Sequence, residues 1–236
     1  MDISGREHMR KTDWTKYYEN KKSWFSAYTQ KFTLRIILQA MELYLDKNRA
    51  IEVLELGGGN SCFAESICKA KNIETYDIVD NNKLAVDLFN KKNLNIRHHL
   101  GIQQDLLRLE ESFPVKKYDF VYSIGLIEHF RGDDVKTIIA RHFKYCAKGG
   151  MVLITFPTPT RKYIFIRKCM ELVGIWQFYD EKPVRYEAVK GTFEKCGNVR
   201  SHFINKRLPL SQMVVIAKNT GRREIQKKDC ALELEK

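Results

Sequence analysis

Long apolar runs are missing from this chain of 236 residues. No stretch of about 18 apolar residues occurs, so no transmembrane helix is expected. The polar start, Met1 to Lys22, has no apolar h-region, and a secretory signal is not expected there. Residues 1–9 read as dispensable, and His8-Met9 resembles a cloning junction. Proline is scarce, at five, and the 13 glycines are ordinary in number. That composition excludes collagen-like, mucin-like and low-complexity chains. The six cysteines (Cys62, Cys68, Cys146, Cys169, Cys196, Cys230) form no CxxC pair. Neither a disulfide frame nor a zinc site is expected, and the thiols read as reduced ones of a cytoplasmic protein. Internal repeats are absent too.

What the chain does have is 44% hydrophobic residues, enough for one well-buried domain and too little for two large ones. Its net charge of +12 is unevenly spread. Residues 1–50 carry ten Lys/Arg against six acids, residues 51–143 twelve against fourteen, and residues 144–236 nineteen against nine. The last third therefore supplies most of the positive field. It reads either as a solvated basic face or as attraction to an anionic metabolite, nucleic acid or membrane.

Hydrophobic periodicity gives the architecture. Trp14 to Lys47 reads as helical in two parts parted near Ser23 to Ala27, with Leu34, Ile37, Leu38, Met41, Leu43 and Leu45 as its buried stripe. Strands are expected at 51–56, 74–79, 96–102, 118–123 and 151–156, with helices at 61–71, 83–92 and 133–146 between them. A helix is also expected to start at Leu106. Strands alternating with helices argue for a doubly wound parallel sheet with helices on both faces. After Pro157 comes a basic, aromatic insertion at about 158–182, then a helix at 184–196. Strands 199–205 and 210–218 follow. Only Lys206 to Pro209 separates these two, so they form a hairpin. The expected fold is α/β with seven strands, mostly parallel with one antiparallel. Residues 1–47 form an N-terminal helical lid or extension, and 220–236 a charged, frayed tail.

In such a sheet ligands bind where strand carboxyl ends meet helix N-termini. Glu55-Leu56-Gly57-Gly58-Gly59-Asn60-Ser61 stands there after the first strand, its glycines exposing bare backbone. A dinucleotide fingerprint needs G-x-G-x-x-G, and Cys62 takes the place of its last glycine. Glu55, two before the first glycine, suits a cationic ligand better than a pyrophosphate. Glu55, Gly57 and Gly59 match [D/E]-x-G-x-G-x-G, with Ser61 in the last glycine position, and here the chain resembles the class I S-adenosylmethionine-dependent methyltransferases. Within that Rossmann-like family the likeness is to the small-molecule (type 11/12-like) branch, and it runs from about Ile51 to Lys218. Asp80 stands where the family's acid binds the ribose hydroxyls. Gln104-Asp105-Leu106 matches the segment beside the adenine. Tyr118 to His129 is similar to the "FD-x-V-x-S…x-EH" stretch.

The resemblance implies S-adenosyl-L-methionine as cofactor, held by Glu55, Gly57, Gly58, Gly59, Asp80, Asn81, Asp105, Leu106, Ser123 and, from the lid, Tyr18. Asp80 and Asp105 read equally as helix N-caps. His129 is the candidate general base, since histidine titrates in the useful range, or else it packs against the following helix. Glu128 reads as a capping residue or, less simply, a metal ligand; no metal is expected. The aromatics Trp14, Tyr17, Tyr18, Trp24, Phe25 and Tyr28 read as sheet-edge packing or as a lid. Arg161, Lys162 and Tyr163, with Arg167 and Lys168, read as a seat for phosphate or as an exposed helix face. The expected reaction is methyl transfer to an oxygen of a small sugar-linked or phosphorylated, hence anionic, acceptor. Three other readings stay open. A nucleic-acid methyltransferase fits the basic last third but lacks the [D/N/S]-P-P-[Y/F] sequence. An NAD-dependent oxidoreductase and a non-catalytic binding protein are the others.

Overall fold

The computed structural model describes residues 11–19, 24–46, 48–111, 116–207 and 210–221, without the side chains of 24–27, 110 and 111. The expectations for residues 1–9, for Trp24 and Phe25 in the lid, and for the tail beyond Gly221 lie outside the described residues. Two N-terminal helices, α1 (Trp14–Glu19) and α2 (Trp24–Tyr44), precede the sheet. The alternating segment comprises β1 (Ile51–Leu56), α3 (Ala64–Ala70), β2 (Ile73–Asp80), α4 (Lys83–Asn90), β3 (His98–Gln103), β4 (Tyr118–Ile124), α5 (Asp133–Tyr145) and β5 (Cys146–Pro157). After it come α6 (Arg161–Leu172), α7 (Tyr186–Cys196), β6 (Gly197–Asn205) and β7 (Gln212–Asn219).

The seven strands lie in the order β3-β2-β1-β4-β5-β7-β6. β1 to β5 pair in parallel, and β7 enters antiparallel between β5 and β6, as the short hairpin connection requires. Side chains alternate between two buried layers, which is why the strands read as almost wholly apolar. Val53, Ile78, Phe120, Tyr122 and Leu153 face Ile37 and Met41 of α2, Ile67 of α3 and Phe89 of α4. Leu54, Val79, Val121, Val152 and Ile154 face Ile138, Ile139 and Phe143 of α5 and Phe193 of α7. The doubly wound α/β fold is therefore present, with helices on both faces.

Several local expectations need correction. Leu43 does not join the α2 stripe: it is 74% exposed, because it falls off the Ile37–Met41 side of the helix. β5 begins at Cys146, not Met151. The chain runs through Lys148-Gly149-Gly150 as an irregular strand, with Gly149 at φ +86° and a register shift opposite β4. The segment after Asp105 is 3₁₀, Leu106–Glu111, rather than α-helical. α3 starts at Ala64, three residues later than expected. The chain spends Ser61 to Phe63 on the glycine loop, and Ser61 Oγ accepts a hydrogen bond from the Ala64 N–H at 3.1 Å.

Candidate active site

The strand carboxyl ends enclose a cleft, the place where open α/β sheets bind ligands. The turns after β1, β2 and β3 contribute Gly57, Asp80, Asn81, Asp105 and Leu106. Gly125, Leu126, His129 and Phe130 come from the turn after β4, and α1 adds Trp14 and Tyr18.

The glycine loop is built for close approach. Gly57 and Gly59 adopt φ of +66° and +51°, which disfavours a side chain at either. A Cβ on Gly59 would lie 1.8 Å from the Tyr18 hydroxyl, so Tyr18 covers the loop from above. Asp80 ties the loop to β2. Its Oδ2 accepts from the Gly59 N–H at 2.9 Å and its Oδ1 from the Asn82 N–H at 2.8 Å. Burial raises its pKa, with these N–H bonds working the other way. The capping of α4 falls instead to Asn82, whose Oδ1 accepts from Ala85 N–H at 2.9 Å. Asp80 thus keeps lone pairs toward the cleft that no helix cap consumes.

Glu55 and Gly58 stand behind the loop and not on the cleft wall. Tyr76 Oη donates to Glu55 Oε2 at 2.8 Å, Tyr76 meets Tyr122 hydroxyl to hydroxyl, and Gly58 lies against the Glu55 side chain. Burial pushes the Glu55 carboxyl up to about 7, although the surrounding hydroxyls counter it. Asp105 is exposed; its Oδ1 accepts from the Leu107 N–H at 2.8 Å, and it lines the cleft.

Ser123 does not reach the cleft. It lies on the α5 side of β4, where His142 Nε2 and Ser123 Oγ are 2.9 Å apart, and burial pushes the His142 imidazole down to about 4. Arg161, Lys162 and Tyr163 do not line the cleft either. Arg161 and Lys162 lie on the outer face of α6. Tyr163 is buried beneath it, donating to Glu181.

His129 closes a short 3₁₀ turn, Ile127–His129, and is not alone. Its Nδ1 lies 3.2 Å from Asp180 Oδ1, and Trp14 packs edge-on to the imidazole with centroids 5.1 Å apart. Burial pushes the imidazole below its usual 6.5 and outweighs the pull of Asp180. Burial opposes ionisation of Asp180 as well. There the Thr12 hydroxyl, which donates to it, and His129 outweigh burial and hold the carboxyl below the usual range. An ionised Asp180 only accepts, so Nδ1 carries the hydrogen. Nε2 of a neutral His129 is then a free base.

Asp180 is the residue that sequence reading missed. It lies 51 positions from His129 in an irregular stretch, held in place by Arg131, which bonds the carbonyls of Glu128, Phe130 and Asp180. Glu128 is 2% exposed, burial and Glu181 beside it push its carboxyl well above the usual range, and it makes no metal cluster among the described residues.

A glycine loop under an acid at the end of β2, with a histidine from the turn after β4 lining the same cleft, is the arrangement of a nucleoside-dependent transferase. A family model described as a methyltransferase domain matches residues 25–192, more than half of the chain, and the chain belongs to that family. Among solved structures it is similar to magnesium protoporphyrin IX methyltransferase from Synechocystis PCC 6803 with bound S-adenosylhomocysteine. That match has a TM-score of 0.67 at 12% identity and covers 87% of this chain and 92% of that one. The N-methyltransferase NodS from Bradyrhizobium japonicum, in complex with S-adenosylhomocysteine, matches at TM-score 0.58 and 13% identity, over 86% and 91% of the two chains. The CurJ carbon methyltransferase matches at 0.62 and 18%, over 87% of this chain and 57% of that one. No curated sequence matches. The protein is a methyltransferase with S-adenosylmethionine as its cofactor.

Proposed function

We propose that this methyltransferase acts on a hydroxyl oxygen of a small acceptor with an apolar body, and that His129, oriented by Asp180, is the base. The His129–Asp180 pair in a cleft walled by Trp14 and Phe130 carries the reading. Bound S-adenosylmethionine supplies an electrophilic methyl group on a sulfonium. Asp80 would accept hydrogen bonds from its ribose hydroxyls, Asn81, Asp105 and Leu106 would flank its adenine, and the Gly57–Gly59 backbone and Tyr18 would enclose the remainder. His129 Nε2 takes the acceptor proton, which an alcohol needs and an amine or thiolate does not. The aromatic wall fixes the acceptor behind the methyl group, where orientation supplies much of the rate.

A phosphorylated or sugar-phosphate acceptor has less support, because no Lys or Arg lines the cleft among the described residues. The same lack weighs against an RNA substrate. The pH profile of turnover tests the base. Only neutral His129 works, so kcat should fall as pH drops through an apparent pKa below 6.5, and be level above it. A profile that shows no fall at any acidic pH where the protein stays folded would remove His129 from the proton transfer.

A further inference from the structure

Helix α6 carries polar side chains on its inward face beside the half-buried Ile166 and Met170: Tyr163 bonds Glu181, and Arg167 bonds Glu171 at 2.7 Å and lies over the Trp176 ring. Its outward face sets large apolar side chains among basic ones. Phe165 is 70% exposed and Leu172 87%, and beyond the helix Val173 and Ile175 are 67% and 57% exposed, with Ile164 beside them. These five make up much of the large exposed apolar surface among the described residues, and such a contiguous patch marks a contact site. Arg161, Lys162 and Lys168 are exposed on the same helix, which has four basic residues against one acid.

We propose that α6 and the turn after it are a docking surface for an anionic lipid bilayer. Apolar side chains enter the acyl boundary while flanking cations meet lipid phosphates, the arrangement of an interfacial helix. No helix among the described residues is long and apolar enough to cross a membrane, so the contact lies in the interface plane.

The position of the patch adds a consequence. The chain leaves α6 through Gly174, at φ +69°, and within a few residues supplies Phe178 and Asp180 to the surroundings of His129. A docked α6 thus holds the cleft close to the lipid surface. That the acceptor is an amphiphile drawn from the bilayer rests on the methyltransferase reading above; the docking itself does not.

Flotation with phosphatidylcholine vesicles, with and without phosphatidylglycerol, tests the surface. The wild type should bind the anionic vesicles about tenfold or more tightly than the neutral ones, and lose that preference in high salt. Phe165→Glu with Leu172→Glu should weaken binding by about tenfold or more while leaving the thermal midpoint and S-adenosylmethionine titration unchanged. Lys168→Ala should weaken only the anionic component. Equal binding by the double variant and the wild type, or no vesicle binding, overturns the proposal. So does sedimentation showing a dimer that the double variant dissolves. Vesicle binding without any S-adenosylmethionine binding would instead overturn the methyltransferase reading and leave the docking surface standing.

Discussion

His129→Ala should lower turnover of a hydroxylated acceptor by about 10²–10⁴-fold, the usual contribution of a positioned general base. S-adenosylmethionine affinity should stay within about threefold of the wild type, because His129 bonds Asp180 and packs on Trp14 and makes no bond to the glycine loop. Single-turnover kinetics and calorimetry on the same preparation separate the two effects. Equal losses in both would mean that His129 holds the turn after β4 together and does no chemistry. Retention of activity with an amine acceptor, alongside loss with an alcohol, would strengthen the assignment of the base, since only the alcohol needs deprotonation.

Asp80→Ala should do the reverse. Its carboxylate holds the ribose in the proposed site and anchors the Gly59 and Asn82 N–H groups, so its removal should both delete ligand bonds and loosen the loop. The expected loss is about 2–3 kcal/mol of cofactor binding, or roughly 30- to 150-fold in Kd. Turnover at saturating cofactor should change far less. An unchanged Kd would show that Asp80 is only a brace for the glycine loop.

Much of this was legible in the sequence because strand ends are easy to read. β1 occupies the segment Ile51–Leu56 that its apolar run marks, and the hairpin of β6 and β7 follows from a connection too short for a crossover. Once those ends are fixed, Gly57, Asp80, Asp105 and His129 must gather at one edge of the sheet. Ser123 failed for a reason also written in the sequence. Side chains alternate along β4, so Tyr122 and Ser123 face opposite layers, and Ser123 turns to His142. No strand was expected at Cys146 to Gly150, yet the pairing of Cys146 with Tyr118 on β4 draws the chain into the sheet and Gly149 absorbs the irregularity.

Asp180 could not be read in advance. Its position depends on Arg131 bridging two loops and on Thr12 reaching over from the N-terminal segment, contacts between residues far apart in the chain. No period or motif marks such a residue. The outward apolar face of α6 was equally hidden, since its alternation of basic and apolar residues fits a helix buried on either side.

The most direct test is a crystal structure with S-adenosylhomocysteine bound. The nucleoside should lie across Gly57–Gly59 beneath Tyr18, with both ribose hydroxyls about 2.6–3.2 Å from the Asp80 carboxylate and the sulfur directed toward His129. A ligand bound elsewhere, or a ribose out of reach of Asp80, would contradict it.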